Sequence, residues 1–538
     1  MALILAGLNA LAPPILPRGP GPVHVAPNGF DGGDGRSRQR AVRSLQRGVD
    51  LARPGDTVLI WPGTYHETVR IRRGGRAGHP LVLQAAVPGQ AILSGSDGTG
   101  EVARWRWRRW QPHLFVTPIR WPVQALRVDG WAAYRAGSLP HLRDLCARTS
   151  AGPAFYAANS QLVLCLPQGQ TPTGSQLEVH RPLPRRLKAG GHQAALLWLE
   201  APHLQIRDLQ FDFAVTAAIQ LWSTGDVLIR GNRFRDADVA INDRASLNPV
   251  DGLRIERNLS QCPGLDRWRR GWLSRSEIYR YSNCTLVWVG GRNLSIRGNV
   301  ISDAGDGLKV SPSGGRNRVS GNLIDRVFDD GIEFDGPAAN LLVDHNLLSH
   351  TLVALGTSPV TRGPLLVDTN LILNDPGQAG ALLKLMAGAA PSLGPQPQAT
   401  IRNVLLRHNL AVVDALAWRD PAVRLEQIRL EANLLLSRQD FGERLPAGLK
   451  LSANRLVPLP KGARPLPEQG ATALAPWWSG RSNPGTGNPG PGPGGLPLAI
   501  GPLGPAWLKL GDDPFTASLG PLLRAGWLTP EPSGGPER

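Results

Sequence analysis

Two stretches of this sequence concentrate groups that could do acid–base chemistry: SDAGDGLKV (residues 302–310) and DRVFDDGIEFDG (residues 325–336). They share a pattern of Asp-Gly-apolar-charged-apolar. Within it Asp306 matches Asp330, Leu308 matches Ile332, and Lys309 matches Glu333, each pair 24 residues apart. If matched positions are neighbours in space, the carboxyls of Asp306 and Asp330 come within roughly 5 Å, the spacing of adjacent strands. Two carboxylates that close repel, so one keeps its proton to a higher pH than usual. Such a pair suits glycosidic hydrolysis, where a separation of about 5–5.5 Å marks retention and a wider one inversion. β-Elimination is the second use, with Lys309 removing the proton beside a uronate carboxylate. Glu333 counts against that role, because it favours the charged ammonium. A divalent cation is the third. Calcium takes about six to eight oxygens, and Asp303, Asp329 and Asp335 are candidate ligands beside Asp306, Asp330 and Glu333. The bland alternative is a Lys309–Glu333 surface ion pair worth under about 1 kcal/mol, set on ordinary Asp-Gly turns.

A second group of residues suits recognition. The stretch LDRWRRGWLSRSEIYRYSNC (265–284) interleaves Trp268, Trp272, Tyr279 and Tyr281 with arginines, Arg270 among them. Aromatic faces stack on sugar rings, and arginine forks bind carboxylate or sulfate. The alternative is a loop whose aromatics simply pack down. Trp288, in TLVWV (285–289), falls near the Lys309 column. His345 and His350 follow one repeat later without metal-binding spacing, which favours ordinary structural roles. There is no serine nucleophile elbow and no phosphate-binding loop.

The elements that must position these residues come from an internal repeat, which decides the fold. Aligned on one asparagine, the segments are IRGNRF (Asn232), IERNLS (Asn258), IRGNVI (Asn299), VSGNLI (Asn322), VDHNLL (Asn346), VDTNLI (Asn370), LRHNLA (Asn409) and LEANLL (Asn433). The steps are 26, 41, 23, 24, 24, 39 and 24 residues. Three residues before each asparagine stands an aliphatic residue, and period-two alternation around it marks strands with one buried face. Short strands separated by turns make one rung of a solenoid, paired in parallel with the rungs on either side. Stacked inward asparagines would bond one another along the turn. The two long steps become surface loops, often at the binding face. The pattern predicts an all-β right-handed parallel β-helix.

Upstream, Arg38 to Ala52 has apolar residues at helical spacing, as a helix closing an open solenoid end would. Residues 96–190 break the rhythm and predict an inserted β-rich subdomain. From residue 441 the chain turns Pro/Gly-rich, which predicts an irregular tail. The division is therefore a leader or signal segment at 1–22, an N-terminal cap with first rungs at 23–95, the insertion at 96–190, the β-helix at 191–440, and the tail at 441–538.

The formal charge is +17, from 59 Lys+Arg against 42 Asp+Glu, with only six lysines. A basic surface attracts polyanions such as acidic polysaccharide or nucleic acid. No zinc-finger, helix-turn-helix or aromatic RNA-binding signature is present, so nucleic acid is not the expected partner. No run of about 18 apolar residues exists to span a membrane. Cys146 with Cys165 and Cys262 with Cys284 fall as near pairs, and neighbour pairing is the simplest of three connectivities. Four buried thiols are the alternative. Disulfides would imply an oxidising compartment. The apolar start, Met1 to Ala12, lacks the basic flank of a signal peptide but fits an exported chain.

HVAPNGFDGGDG (24–35), the helix, and ARPGDTVLIWPGTYHETVRI (52–71), together with the Asn-centred rungs, resemble bacterial right-handed β-helix proteins of the pectate-lyase-like superfamily. The resemblance covers about residues 23–100 and 191–440. It implies the fold and leaves function open, since the superfamily holds polysaccharide lyases, glycoside hydrolases, epimerases and binding proteins. The paired-aspartate, GHG and RIK set of the polygalacturonase type is absent, as is the YDPHD motif of alginate epimerases. The segment DDGIEFDG is the best local match to β-helix lyases and hydrolases. The expectation is an exported, monomeric protein that cleaves a polysaccharide or oligosaccharide through Asp306, Asp330, Glu333 and Lys309, with calcium as the candidate cofactor. The other readings are a non-catalytic polysaccharide binder and a structural cell-envelope protein.

Overall fold

The computed structural model describes residues 21–458, apart from 149–151, 182–194, 244–249, 264, 266–272, 275–276, 278–283, 375–379, 388–398 and 438–445. Within each rung, alternate residues are apolar, and the chain buries them inward while their neighbours face out. In the strands Asn317–Ser320, Leu341–Asp344, Leu365–Asp368, Thr400–Arg407 and Arg424–Glu431, the register aligns Val319, Val343, Val367, Leu406 and Leu430. All five are at most 1% exposed. Burying such a side chain contributes roughly 1.5–3 kcal/mol, so each rung adds its own share of core.

Each rung crosses three parallel sheets. One is the sheet just described. After the asparagine turn, a second sheet runs through Val300–Ala304, Leu323–Gly336 and Leu347–Val360. The chain then bends, and the third sheet takes Thr285–Arg292, Leu308–Gly314, the far half of Leu323–Gly336, and Ala381–Leu385. All of these pairings are parallel, and the architecture is the expected parallel β-helix.

The asparagine turn is held as its spacing predicts. Asn322 Oδ1 accepts from the backbone N–H of Asn299 at 3.0 Å and from its Nδ2 at 2.9 Å. Asn322 Nδ2 donates in turn to Asn346 Oδ1 at 2.9 Å and to the Ile296 carbonyl at 3.0 Å. The ladder runs unbroken from Asn232 to Asn433 and then takes in Asn454. Strands Leu449–Ser452 and Arg455–Pro458 pair in register with the rung before them. The rungs thus run past residue 440, a continuation hidden by a shorter step and by the polar sequence LSANRLV.

The single helix expected over 38–52 is divided. Arg38–Arg40 is a 3-10 turn, Val42 bridges to Val25 in extended backbone, and the helix proper is Leu45–Leu51. Ser44 caps it by accepting the Arg47 N–H, and Leu45 and Val49 enter the main core. Between Arg108 and Val179 the described strands form two smaller sheets with their own core of Leu126, Phe155, Leu162 and Leu164. Arg127 of these strands, 1% exposed, reaches Asp212 of the β-helix through both guanidinium nitrogens at 2.8 Å and pairs with Asp236 at 2.6 Å. Cys146 is joined to Cys165 and Cys262 to Cys284.

Candidate functional site

On the third sheet the outward positions form one column in register: Trp288, Lys309, Glu333, Gly356, Lys384 and Trp418. The flanking Leu308, Val310, Ile332 and Phe334 point inward and are at most 1% exposed. Asp306 and Asp330 precede this column on neighbouring rungs. The structure therefore brings together the residues paired by their 24-residue offset. Asp306, Asp330 and Glu333 place ligand-type oxygens within 4.8 Å of one another.

Charge pairing organises the cluster. Lys309 Nζ lies 2.7 Å from Asp306 Oδ2, 3.0 Å from Glu333 Oε2 and 4.8 Å from the Trp288 ring centroid. Burial works against the ammonium, but the two carboxylates outweigh it and hold Lys309 above the ordinary lysine range. Lys384 Nζ is 3.3 Å from Asp329 Oδ2 and also pairs with Asp330. The Asp330 carboxyl is 0% exposed, and the Lys384 ammonium is its charged partner. Burial, then the negative charge of Asp329, push its pKa well up, and Glu333 and Asp306 add to this against the opposing pull of Lys384. Gly356 makes the room: a Cβ there would stand 2.5 Å from the Asp330 carboxyl. Glu333, Lys309 and Lys384 retain 11–13% side-chain exposure and form the face that solvent reaches.

Other candidates lie elsewhere. Asp303 is clamped by Arg326 at 2.7 and 2.9 Å and accepts from Gln261 at 3.1 Å, at the bend between sheets. Asp329 pairs with Lys384, and neither Asp303 nor Asp329 is in the group of close oxygens formed by Asp306, Asp330 and Glu333; Asp335 lies two positions beyond Glu333. Asp306, Asp330 and Glu333 are the described group with oxygens close enough for a cation, and Lys309 and Lys384 pair with all three. His350 bonds Asp325 at 2.7 Å near the bend, whereas His345 bonds Asp344 at 2.8 Å beside the asparagine turn. Trp268, Arg270, Trp272, Tyr279 and Tyr281 lie outside the described residues. Trp288 stands in the site column.

Phe328, one residue before Asp329, packs against a core shared by Cys262, Leu265, Leu273 and Cys284 with Leu114, Tyr134, Leu142 and Cys165. Glu277 ties that loop to the helix Leu139–Ala147 and the residue after it, bonding His141 at 2.8 Å and Arg148 at 3.1 and 3.2 Å. Sequence reasoning missed Lys384, Gly356, Trp418 and Phe328. The first three lie beyond Glu333, where uneven rung lengths break the 24-residue offset.

A family model described as the right handed beta helix region matches residues 194–351. The uncharacterised protein YwoF of Bacillus subtilis (strain 168) is 33% identical over 75 residues, and the match spans 14% of this chain and 16% of that protein. Among solved structures, a complex of XylC with xylose aligns over 83% of this chain and 88% of its own, at 12% identity and a TM-score of 0.48. The lacto-N-biosidase of Eubacterium ramulus aligns over 82% of this chain and 68% of its own, at 11% identity and a TM-score of 0.36. Pectate lyase Pel9A aligns over 82% and 77%, at 10% identity and a TM-score of 0.27. At these identities the likeness is one of fold alone. The matched stretch holds Asp306, Lys309, Asp330 and Glu333, and the chain is a right-handed parallel β-helix protein.

Proposed function

We propose that this chain is an exported protein that hydrolyses glycosidic bonds at the Asp330–Glu333 pair. The observation that carries the reading is the state of Asp330: a buried carboxyl, crowded by Asp329, Glu333 and Asp306, whose pKa stands well above the usual carboxylate range despite its pairing with Lys384. A protonated carboxyl is the donor that a leaving glycosidic oxygen needs. Glu333 keeps 12% side-chain exposure and pairs with Lys309 at 3.0 Å, which sets it on the reachable side of the cluster as the nucleophile or base. Their close oxygens favour retention of configuration. Lys309, held as a cation between two carboxylates, is unsuited to abstract a proton, which disfavours β-elimination. Trp288 and Trp418 bracket the charges as faces for sugar rings. Export is supported by the two disulfides.

One observation favours a non-catalytic glycan binder: Asp306 and Asp330 are 1% and 0% exposed, beneath paired lysines. A single experiment separates the readings. Reducing-end release and the ultraviolet absorbance of unsaturated products are followed over a panel of glycans for the parent, Asp330→Asn and Glu333→Gln. Hydrolysis predicts reducing ends without absorbance, lost by about a hundredfold or more in each variant. Cleavage that survives both substitutions would discard the pair, and binding without cleavage would establish the second reading.

A further inference from the structure

Outside the acidic cluster, the same sheet carries a carboxyl that the hydrolytic reading does not use. Asp243 ends the strand run Arg233–Asn242, one rung before Trp288, and is 9% exposed. Its Oδ2 accepts the Gly290 N–H at 2.8 Å, and its own N–H donates to the Trp288 carbonyl at 3.1 Å. Gly290 is an outward position without a side chain. A Cβ there would meet the Ser311 carbonyl at 3.1 Å and Asp243 Oδ2 at 4.0 Å. The result is a small floor bounded by a carboxyl and the half-buried Trp288 indole. An aromatic face beside a fixed acceptor is what a pyranose ring with free hydroxyls requires.

The charges around it select among sugars. The elements packed against Asp243 carry Lys309, which is taken by Asp306 and Glu333, and Arg292, which pairs with Asp251 at 2.9 Å. Among the described residues, burial raises the Asp243 pKa to about 6 against the lowering effect of the Gly290 N–H and its own backbone N–H. Farther along the face, the partly exposed carboxylates are Glu333 and Asp335, and Lys309 and Lys384 are each already paired with carboxylates. A uronate or sulfate brought here would meet carboxylates and find each described lysine already engaged.

We infer that Asp243, Trp288 and the Gly290 floor form a subsite for an uncharged sugar ring, so that the substrate is a neutral glycan rather than an acidic one. This rests on the glycan reading above and narrows it. Asp243 accepts a sugar hydroxyl while the ring lies on Trp288.

The test uses calorimetric binding to full-length Glu333→Gln protein, with neutral gluco-, xylo- and galacto-oligosaccharides and with oligogalacturonate as probes. Neutral probes should bind, with affinity falling as pH drops through about 6. Adding Asp243→Asn should weaken binding roughly tenfold or more and remove that pH dependence, as loss of a charged hydrogen bond does. Trp288→Ala should weaken it as well. Oligogalacturonate binding as tightly as neutral sugars overturns the inference. So does an unchanged affinity and pH profile in Asp243→Asn, or binding of no glycan. Should neutral glycans bind as expected while cleavage survives Asp330→Asn and Glu333→Gln, the hydrolytic pair fails and the subsite stands.

Discussion

At the scale of single residues, burial sets the chemistry by deciding which carboxyls keep a proton. Asp243 offers a measurement independent of any substrate. Its folded pKa of about 6 exceeds the ordinary aspartate value, so the folded state holds the proton longer than the unfolded chain does. Stability from this group is therefore intact below the unfolded pKa and is lost as pH rises towards 6. The expected loss is about 3 kcal/mol, from roughly two units at 1.36 kcal/mol each. Asp243→Asn should flatten this part of the stability–pH curve in urea denaturation between pH 4 and 7, and an unchanged slope would refute the assignment. Part of the residue scale was legible in the sequence. Asp306, Lys309, Asp330 and Glu333 share one local pattern at a fixed offset, and a parallel stack turns that offset into contact. Asp243 carries no such pattern, because its partner is the Gly290 N–H, 47 residues away.

The element that holds the site is the rung, and the asparagine turn is its fastener. Each ladder asparagine closes off a buried N–H of the rung before it, so removing one leaves that donor stranded. Asn322 opens the rung that carries Asp330, and Asn322→Ala, which strands the Asn299 N–H, should cost about 1–3 kcal/mol, read by chemical denaturation. A smaller cost would mean that water or relaxed backbone replaces the ladder. Eight of these asparagines were readable because each sits at a constant distance from an inward aliphatic residue. The divided N-terminal helix was not readable, since Val42 satisfies helical spacing and a strand bridge equally well.

For the whole molecule, the decisive feature is how the inserted strands meet the β-helix. Arg127 is buried between Asp212, Asp236 and Glu178, with its guanidinium 4.3 Å from the Phe213 ring centroid. Burial opposes its charge, yet the surrounding carboxylates hold it above the ordinary arginine range. Truncating one partner of a buried ionic group leaves the others uncompensated, at about 3–5 kcal/mol. Arg127→Ala should lower the melting temperature and expose residues 97–180 to limited proteolysis before the rungs. Unaltered cleavage kinetics would show that the insertion docks by other contacts. The inserted strands also share one core with Cys262, Leu265, Leu273, Cys284 and Phe328, and Phe328 lies two residues before Asp330, so loosening the insertion should also disturb glycan binding.

By itself, the sequence determined the solenoid and the pairing of Asp306 with Asp330 and of Lys309 with Glu333. Strand alternation and rung length are local properties, and in a parallel stack a local period becomes a spatial neighbour. Only the tertiary structure decided that Lys384 closes over Asp330, that Gly356 leaves room for its carboxyl, and that Asp243 shares a floor with Trp288. Those contacts join rungs separated by loops of unequal length, and no period in the chain records where such loops bring it back.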